Sequence, residues 1–201
     1  MQMKKKISYG IATLMVAILL SGCGKVPQAE IDQANAAIDS AKAAGAEIYV
    51  PEAYAAVQDS MISVMIRIEE QGSKVVKSYA DSKEELAQIS KMAREVKLES
   101  ETRKEEMKAK TLAILTEVKS LLEENKKLIT EAPKGKEGTA ALQAMKEELG
   151  VIEASVVEVE GMLGQGELLD CYNKARAAEE KAALMNTELS EVIAKYNKAR
   201  K

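Results

Sequence analysis

Residues 52–131 read EAYAAVQDSMISVMIRIEEQGSKVVKSYADSKEELAQISKMAREVKLESETRKEEMKAKTLAILTEVKSLLEENKKLITE, without a proline and with Gly72 as the only glycine. Nothing in this stretch forbids a helix, and at 1.5 Å per residue about 80 residues would extend roughly 120 Å. Tyr54, Val57, Met61, Val64 and Ile68 recur at alternating spacings of three and four, the seam by which one helix packs on another. From Val75 through Tyr79, Leu86, Ile89, Met92 and Val96 the seam narrows, and this stripe is expected to seek a partner or a second copy. Lys97 to Lys110 is almost wholly charged, with only Leu98, Met107 and Ala109 apolar. There Glu99–Arg103 and Glu106–Lys110 stand four apart with the acid first, which supports a helix by about 0.2–0.5 kcal/mol each. Leu112, Ile114, Leu115, Val118, Leu121, Leu122, Leu128 and Ile129 then cover more than one seam, so two neighbours are implied. One helix over 52–131 is the expectation.

The flanks supply helices for it to pack against. Pro27 suits a first helical turn, and Ala34, Ala37, Ile38 and Ala41 make a narrow small-residue stripe on a short helix over 28–44. Gly45 ends it, and the corner 45–51 contains Ile48-Tyr49-Val50, expected to be extended because Pro51 follows. On the other side, residues 132–138 (APKGKEG) form the clearest loop and Thr139 a plausible N-cap. A broad-faced helix carries Leu142, Met145, Leu149, Ile152, Val156, Val159 and Leu163, and Gly161, Gly164 and Gly166 end it. A last helix carries Leu168, Tyr172, Ala175, Ala182, Met185 and Leu189. The fold class is therefore all-α: an elongated antiparallel helical hairpin over 28–131 and a helical pair over 139–200 broken near 161–166. One very long, coiled-coil-like helix contributes to a three-helix bundle. The corners at Gly45 and Gly166 look alike, each leading to a tyrosine early in the next helix, Tyr54 and Tyr172.

Residues 1–22 read as a targeting segment, not as part of the fold. Lys4, Lys5 and Lys6 make a positive start, and Ile7 to Leu20 is uncharged, largely apolar and too short for a comfortable span. Leu20-Ser21-Gly22-Cys23 follows and resembles the lipobox of bacterial lipoproteins. That resemblance implies cleavage between Gly22 and Cys23, a diacylglycerol thioether on Cys23 and an acylated amine. More than one acyl chain gives a stable membrane anchor where a single chain is marginal. Gly24 lacks the aspartate that favours inner-membrane retention, so in a host with two membranes the periplasmic face of the outer membrane is expected.

The whole chain carries a formal charge of −3, and loss of the three lysines with residues 1–22 takes the mature chain to −6. An acidic chain with no Trp, no Phe and no basic aromatic-studded face is a poor nucleic-acid binder. Without a histidine it lacks the usual general base and the usual zinc ligand. No cofactor, metal, small-molecule substrate or enzymatic activity is expected.

Residues 34–57, reading ANAAIDSAKAAGAEIYVPEAYAAV, resemble the alanine-rich helical hairpin of the bacterial envelope lipoproteins grouped as the DUF4398 family. The shared pattern is the spaced alanines, Ala44-Gly45-Ala46, Tyr49, Pro51 and the helix that follows. The resemblance implies a fold and an envelope location, and it carries no catalytic residue.

Four features invite chemistry. Cys171 is the one thiol left once Cys23 is acylated; it reads as a small packed residue, with an intermolecular disulfide as the alternative. Glu69-Glu70, Glu84-Glu85, Glu105-Glu106 and Glu147-Glu148 are adjacent on helices, so their side chains diverge and read as solvated faces. The glycines at 161, 164 and 166 have neither the preceding strand nor the following Lys-Ser/Thr of a phosphate loop. The ending Ala194-Lys195-Tyr196-Asn197-Lys198-Ala199-Arg200-Lys201 resembles the tail of murein-linked lipoproteins, which makes the Lys201 amine a candidate point of attachment to peptidoglycan. A basic last turn also favours a helix C-terminus on electrostatic grounds alone. The expected function is a non-enzymatic, lipid-anchored scaffold, spacer or partner-binding module. Its expected partners are membrane lipid at Cys23 and a protein, or a second copy, along the helical seams; the alternative is a peptidoglycan tether through Lys201.

Overall fold

The computed structural model describes residues 24–133 and 136–199, less the side chains of 136 and 137. Every regular element among these residues is an α-helix. In chain order they are α1 (Gln28–Ala43), α2 (Ala46–Tyr49), α3 (Pro51–Gly72), α4 (Ala80–Glu131), α5 (Lys136–Leu163) and α6 (Leu168–Ala199). The all-α fold with one long helix is as expected from the sequence. The chain divides into two compact units between Arg103 and Lys104, inside α4, which contributes one part to each.

The helix expected over 52–131 is two helices. Gly72 costs about 1 kcal/mol in a helix interior relative to Ala. Ser73 closes the end of α3, its Oγ donating to the Glu70 carbonyl at 2.7 Å. Val75 and Val76, β-branched and exposed, would gain nothing from helical continuity. Reversal does bring a gain, because it lays Tyr79, Leu86, Ile89, Ala93 and Val96 against α1 and α3 in one buried cluster with Ile31, Ala34, Ile38, Tyr54, Val57 and Val64. Thus the stripe expected to seek a partner is mostly consumed inside the chain, and Met92, which the seam included, is left partly exposed. Burial also explains the composition here: Tyr79, just ahead of α4, and Ser82, Leu86, Ile89, Ala93, Val96 and Ser100 within it, at spacings of three and four, are all buried.

The corner after α1 also departs from expectation. Residues 46–49 form the helical turn α2, and Val50 alone, at φ −144° and ψ 54°, neither helical nor extended, leads into Pro51. Gly45 makes the corner at φ 87°, a left-handed conformation that glycine adopts without strain. α5 starts at Lys136, ahead of the expected Thr139 cap, and passes through Gly161 to Leu163.

In the second unit, Ile114, Leu115, Val118 and Leu122 of α4 pack with Leu149, Ile152, Val156 and Val159 of α5 and with Cys171, Ala175, Ala178, Ala182, Met185 and Leu189 of α6. This is the three-helix arrangement expected from the wide apolar faces. The two hairpins, α1–α3 and α5–α6, correspond more closely than their residues suggest. Buried Ile31, Ala34, Ile38, Ala41, Val50, Val57 and Val64 each have a buried counterpart 118 positions on, in Leu149, Ile152, Val156, Val159, Leu168, Ala175 and Ala182. The glycines at the corners share a φ of 87° but stand 121 apart, so the correspondence lies in the packing faces and not in the turns. The third helix enters each hairpin in a different sense. Lys83–Glu30 at 2.8 Å and Ser100 Oγ donating to the Ala44 carbonyl at 2.9 Å run the start of α4 parallel to α1. Lys119–Glu160 at 2.6 Å and Lys126–Glu153 at 2.9 Å run its later part antiparallel to α5.

Gly166 supplies a clean test of the corner. Space around it is open, with nothing within 4 Å of where a Cβ would sit, so Gly166→Ala is opposed by backbone conformation alone. The expected loss is about 1–2 kcal/mol, read as a lower urea midpoint, with Gly166→Asn losing less.

Candidate functional site

Cys23, Gly22 and Lys201 lie outside the described residues. What the structure does place is the end of the first unit from which Gly24 leads. Pro27 is buried, and its carbonyl accepts from Ile31 N at 3.0 Å, so the fold begins within a few residues of Gly24. Lys25 and Val26 are exposed just before it.

The connection from α3 to α4 stands at the same end. Glu30, in the first turn of α1, pairs with Lys83, in the first turn of α4; the hydrogen bond from Lys83 holds the Glu30 carboxyl below its ordinary value. Ile31, Ile68 and Tyr79 share one buried cluster, and the Tyr79 hydroxyl would lie 3.5 Å from a Cβ placed on Gly72. Arg67 Nη2 lies 2.6 Å from Glu85 Oε2, an ion pair whose angle does not make a hydrogen bond. With its ends pinned in this way, the connection projects Val75 and Val76, whose exposures of 102% and 83% show that neither packs on the protein. Lys74 and Lys77 flank them. Gly24–Pro27 and Ser73–Tyr79 together contain Lys25, Lys74 and Lys77 and no acid. The nearest acids in sequence, Glu70 and Asp81, belong to the helices behind.

A shallow groove lies beside this end, lined by Asn35 of α1 and by Met61, Ile62, Met65, Ile66, Ile68 and Glu69 of α3. The Tyr54–Ile68 seam describes one face of α3, and the groove extends off that face. Its signal in the sequence is Ile62 and Ile66, four apart and off that seam, and both are exposed.

Cys171 is fully buried in the second unit, its Sγ 3.9 Å from the Val159 carbonyl, and burial raises the thiol's pKa. A partner's thiol reaches it only if α6 opens from α5. Native protein is therefore expected to react with a thiol reagent at least ~100-fold more slowly than protein in denaturant, because the reaction waits on opening. Equal rates would show a reachable thiol.

Among the described residues no group of three or more His, Cys, Asp or Glu is placed to hold a metal ion, and no helix is long and apolar enough to cross a membrane. Glu69, Glu70, Glu84, Glu105, Glu106, Glu147 and Glu148 stand on exposed helix faces; Glu85 is the one member of those pairs that is half-buried, against Arg67. Comparison with protein-family models, with curated proteins and with solved structures finds no match for this chain.

Proposed function

We propose that the chain is a non-enzymatic, lipid-anchored protein of the cell envelope, joined to membrane lipid through Cys23. Its two helical units serve as scaffold, spacer or partner-binding surface on the periplasmic side. The observation that carries this reading is the order of residues at the start: Lys4-Lys5-Lys6, the apolar run Ile7 to Leu20, Leu20-Ser21-Gly22-Cys23, and then only Gly24–Val26 before buried Pro27. An anchor so close to a folded bundle needs no spanning helix. The outer membrane is the proposed address where the host has two.

The test is the mass of the N-terminal peptide from protein purified out of the membrane fraction. A peptide beginning at Cys23 and carrying acyl chains is expected in the natural sequence, with Cys23→Ala giving an unacylated, unprocessed chain. An unmodified Cys23 in the natural protein would overturn the reading. The second reading, a tether through Lys201, draws on the basic last turn of α6, where Lys198 stands. Removing Lys201 would abolish the murein-bound fraction if that reading holds, and an unchanged fraction would eliminate it.

A further inference from the structure

We infer that the α3–α4 connection, with Val75 and Val76 at its tip, sits in the headgroup layer of an anionic bilayer and orients the first unit on the membrane. The inference rests on acylation of Cys23 as proposed above and adds to it a second, non-covalent contact.

Reach is the first argument. Three residues, Gly24 to Val26, separate Cys23 from buried Pro27, so the four residue-to-residue steps, at no more than ~3.6 Å each, span at most about 14 Å. The headgroup layer is itself roughly 5–8 Å deep on each side of a bilayer. The end of the first unit that carries Pro27 is therefore held against the surface, and the α3–α4 connection shares that end through Glu30–Lys83 and the Ile31–Ile68–Tyr79 packing.

Chemistry is the second argument. Single exposed apolar residues are ordinary on protein surfaces. Val75 and Val76, adjacent at a helix reversal and almost wholly exposed, present a joint apolar area to water that the protein itself hardly covers. Flanking Lys74 and Lys77, with Lys25 on the tether, put positive charge at one end of a chain whose net charge is negative. Lysines beside an apolar tip match anionic headgroups over acyl chains, where each basic residue near the surface adds to binding. Scattered carboxylates on a second copy, such as exposed Glu70 and Asp81, supply neither a continuous anionic layer nor acyl chains beneath it.

The test uses the acylated mature chain in a Cys171→Ala background, reconstituted in phosphatidylethanolamine/phosphatidylglycerol vesicles containing brominated acyl chains. A fluorophore is placed by Val76→Cys or, as control, by Ile48→Cys, at the exposed corner where α1 ends, ~24 Å away along that 16-residue helix. Quenching is expected to be at least threefold greater at 76 than at 48, and to fall at least twofold with Lys74→Glu/Lys77→Glu at unchanged helix content. Equal quenching at the two sites in acylated protein overturns this inference and leaves the lipid anchor standing. Quenching at 76 indifferent to the charge reversal also overturns it. So does cross-linking of Val76→Cys between two copies in place of quenching, which would assign the tip to self-association. An unacylated Cys23 by mass removes both the anchor and this inference.

Discussion

Leu86→Ala is expected to destabilise the first unit by about 2–5 kcal/mol, the range for truncating a fully buried leucine. Leu86 is 0% exposed and sits where α4 lies on α1 and α3, among a cluster that also contains Ala34, Ala41 and Ala93. Alanines on rigid helices have no side-chain length with which to fill the space vacated, so the cavity term is retained in full. Because the chain has no Trp, tyrosine emission reports unfolding without interference, and Tyr54 and Tyr79 are both buried in this cluster. The urea midpoint from tyrosine emission is expected to fall sharply for Leu86→Ala. Met92→Ala, only six residues on but 37% exposed, should stay within about 1 kcal/mol of the natural protein. Thiol protection of Cys171 reads the second unit separately. If Leu86→Ala costs no more than Met92→Ala, the reversal at Gly72 is wrong and the unbroken helix over 52–131 is restored.

That contrast shows where the sequence was legible and where it was not. Periodicity is local, so the seams through Tyr54–Ile68 and Leu149–Val159 could be read directly, and the structure buries those residues. Whether a seam continues or doubles back is decided by what it can bury at a distance. Val75 and Leu86 belong to the same apolar string, yet one is fully exposed and the other fully buried, because the chain turns between them. The cues to that turn were weak: one glycine, two valines and serines at 73 and 78. Buried polar residues were harder still. Ser90, Ser100, Thr111 and Asn125 look solvated, and each hydroxyl is buried only because a carbonyl accepts its proton, Leu86 for Ser90, Ala44 for Ser100 and Met107 for Thr111. At the candidate site the lysines and valines of the connection carry no motif; their meaning comes from sharing an end with Pro27. Spacing alone would have found Asn125. It falls between Leu122 and Ile129, three after one and four before the other, inside a run of charged residues that disguises it.

Asn125→Leu is expected to stabilise the second unit, in the direction opposite to most core substitutions. Asn125 is 0% exposed, and its Nδ2 donates to the Ala182 carbonyl of α6 at 2.8 Å, while its Oδ1 has no protein partner. The hydrogen bond contributes about 0.5–1.5 kcal/mol, whereas an unpaired buried acceptor costs about 1–3 kcal/mol. Leucine gives up the first, removes the second and adds apolar contact with the neighbouring Leu122 and Ile129 face. A net gain of about 1–2 kcal/mol follows, or roughly 4–8 °C per kcal/mol in the melting midpoint of a domain of this size. What leucine loses is selectivity, because the amide reaches one particular carbonyl and so fixes the register of α4 on α6, as a buried Asn does in coiled coils. Asn186, one turn after Ala182 on α6, also keeps an unpartnered buried Nδ2, so Asn125→Leu/Asn186→Leu should gain more than either alone. The register should loosen, seen as cross-links between neighbouring positions of α4 and α6 spreading over more than one pairing. A loss of stability in Asn125→Leu would mean that Oδ1 is satisfied in solution and that the amide supports this core energetically as well as aligning it.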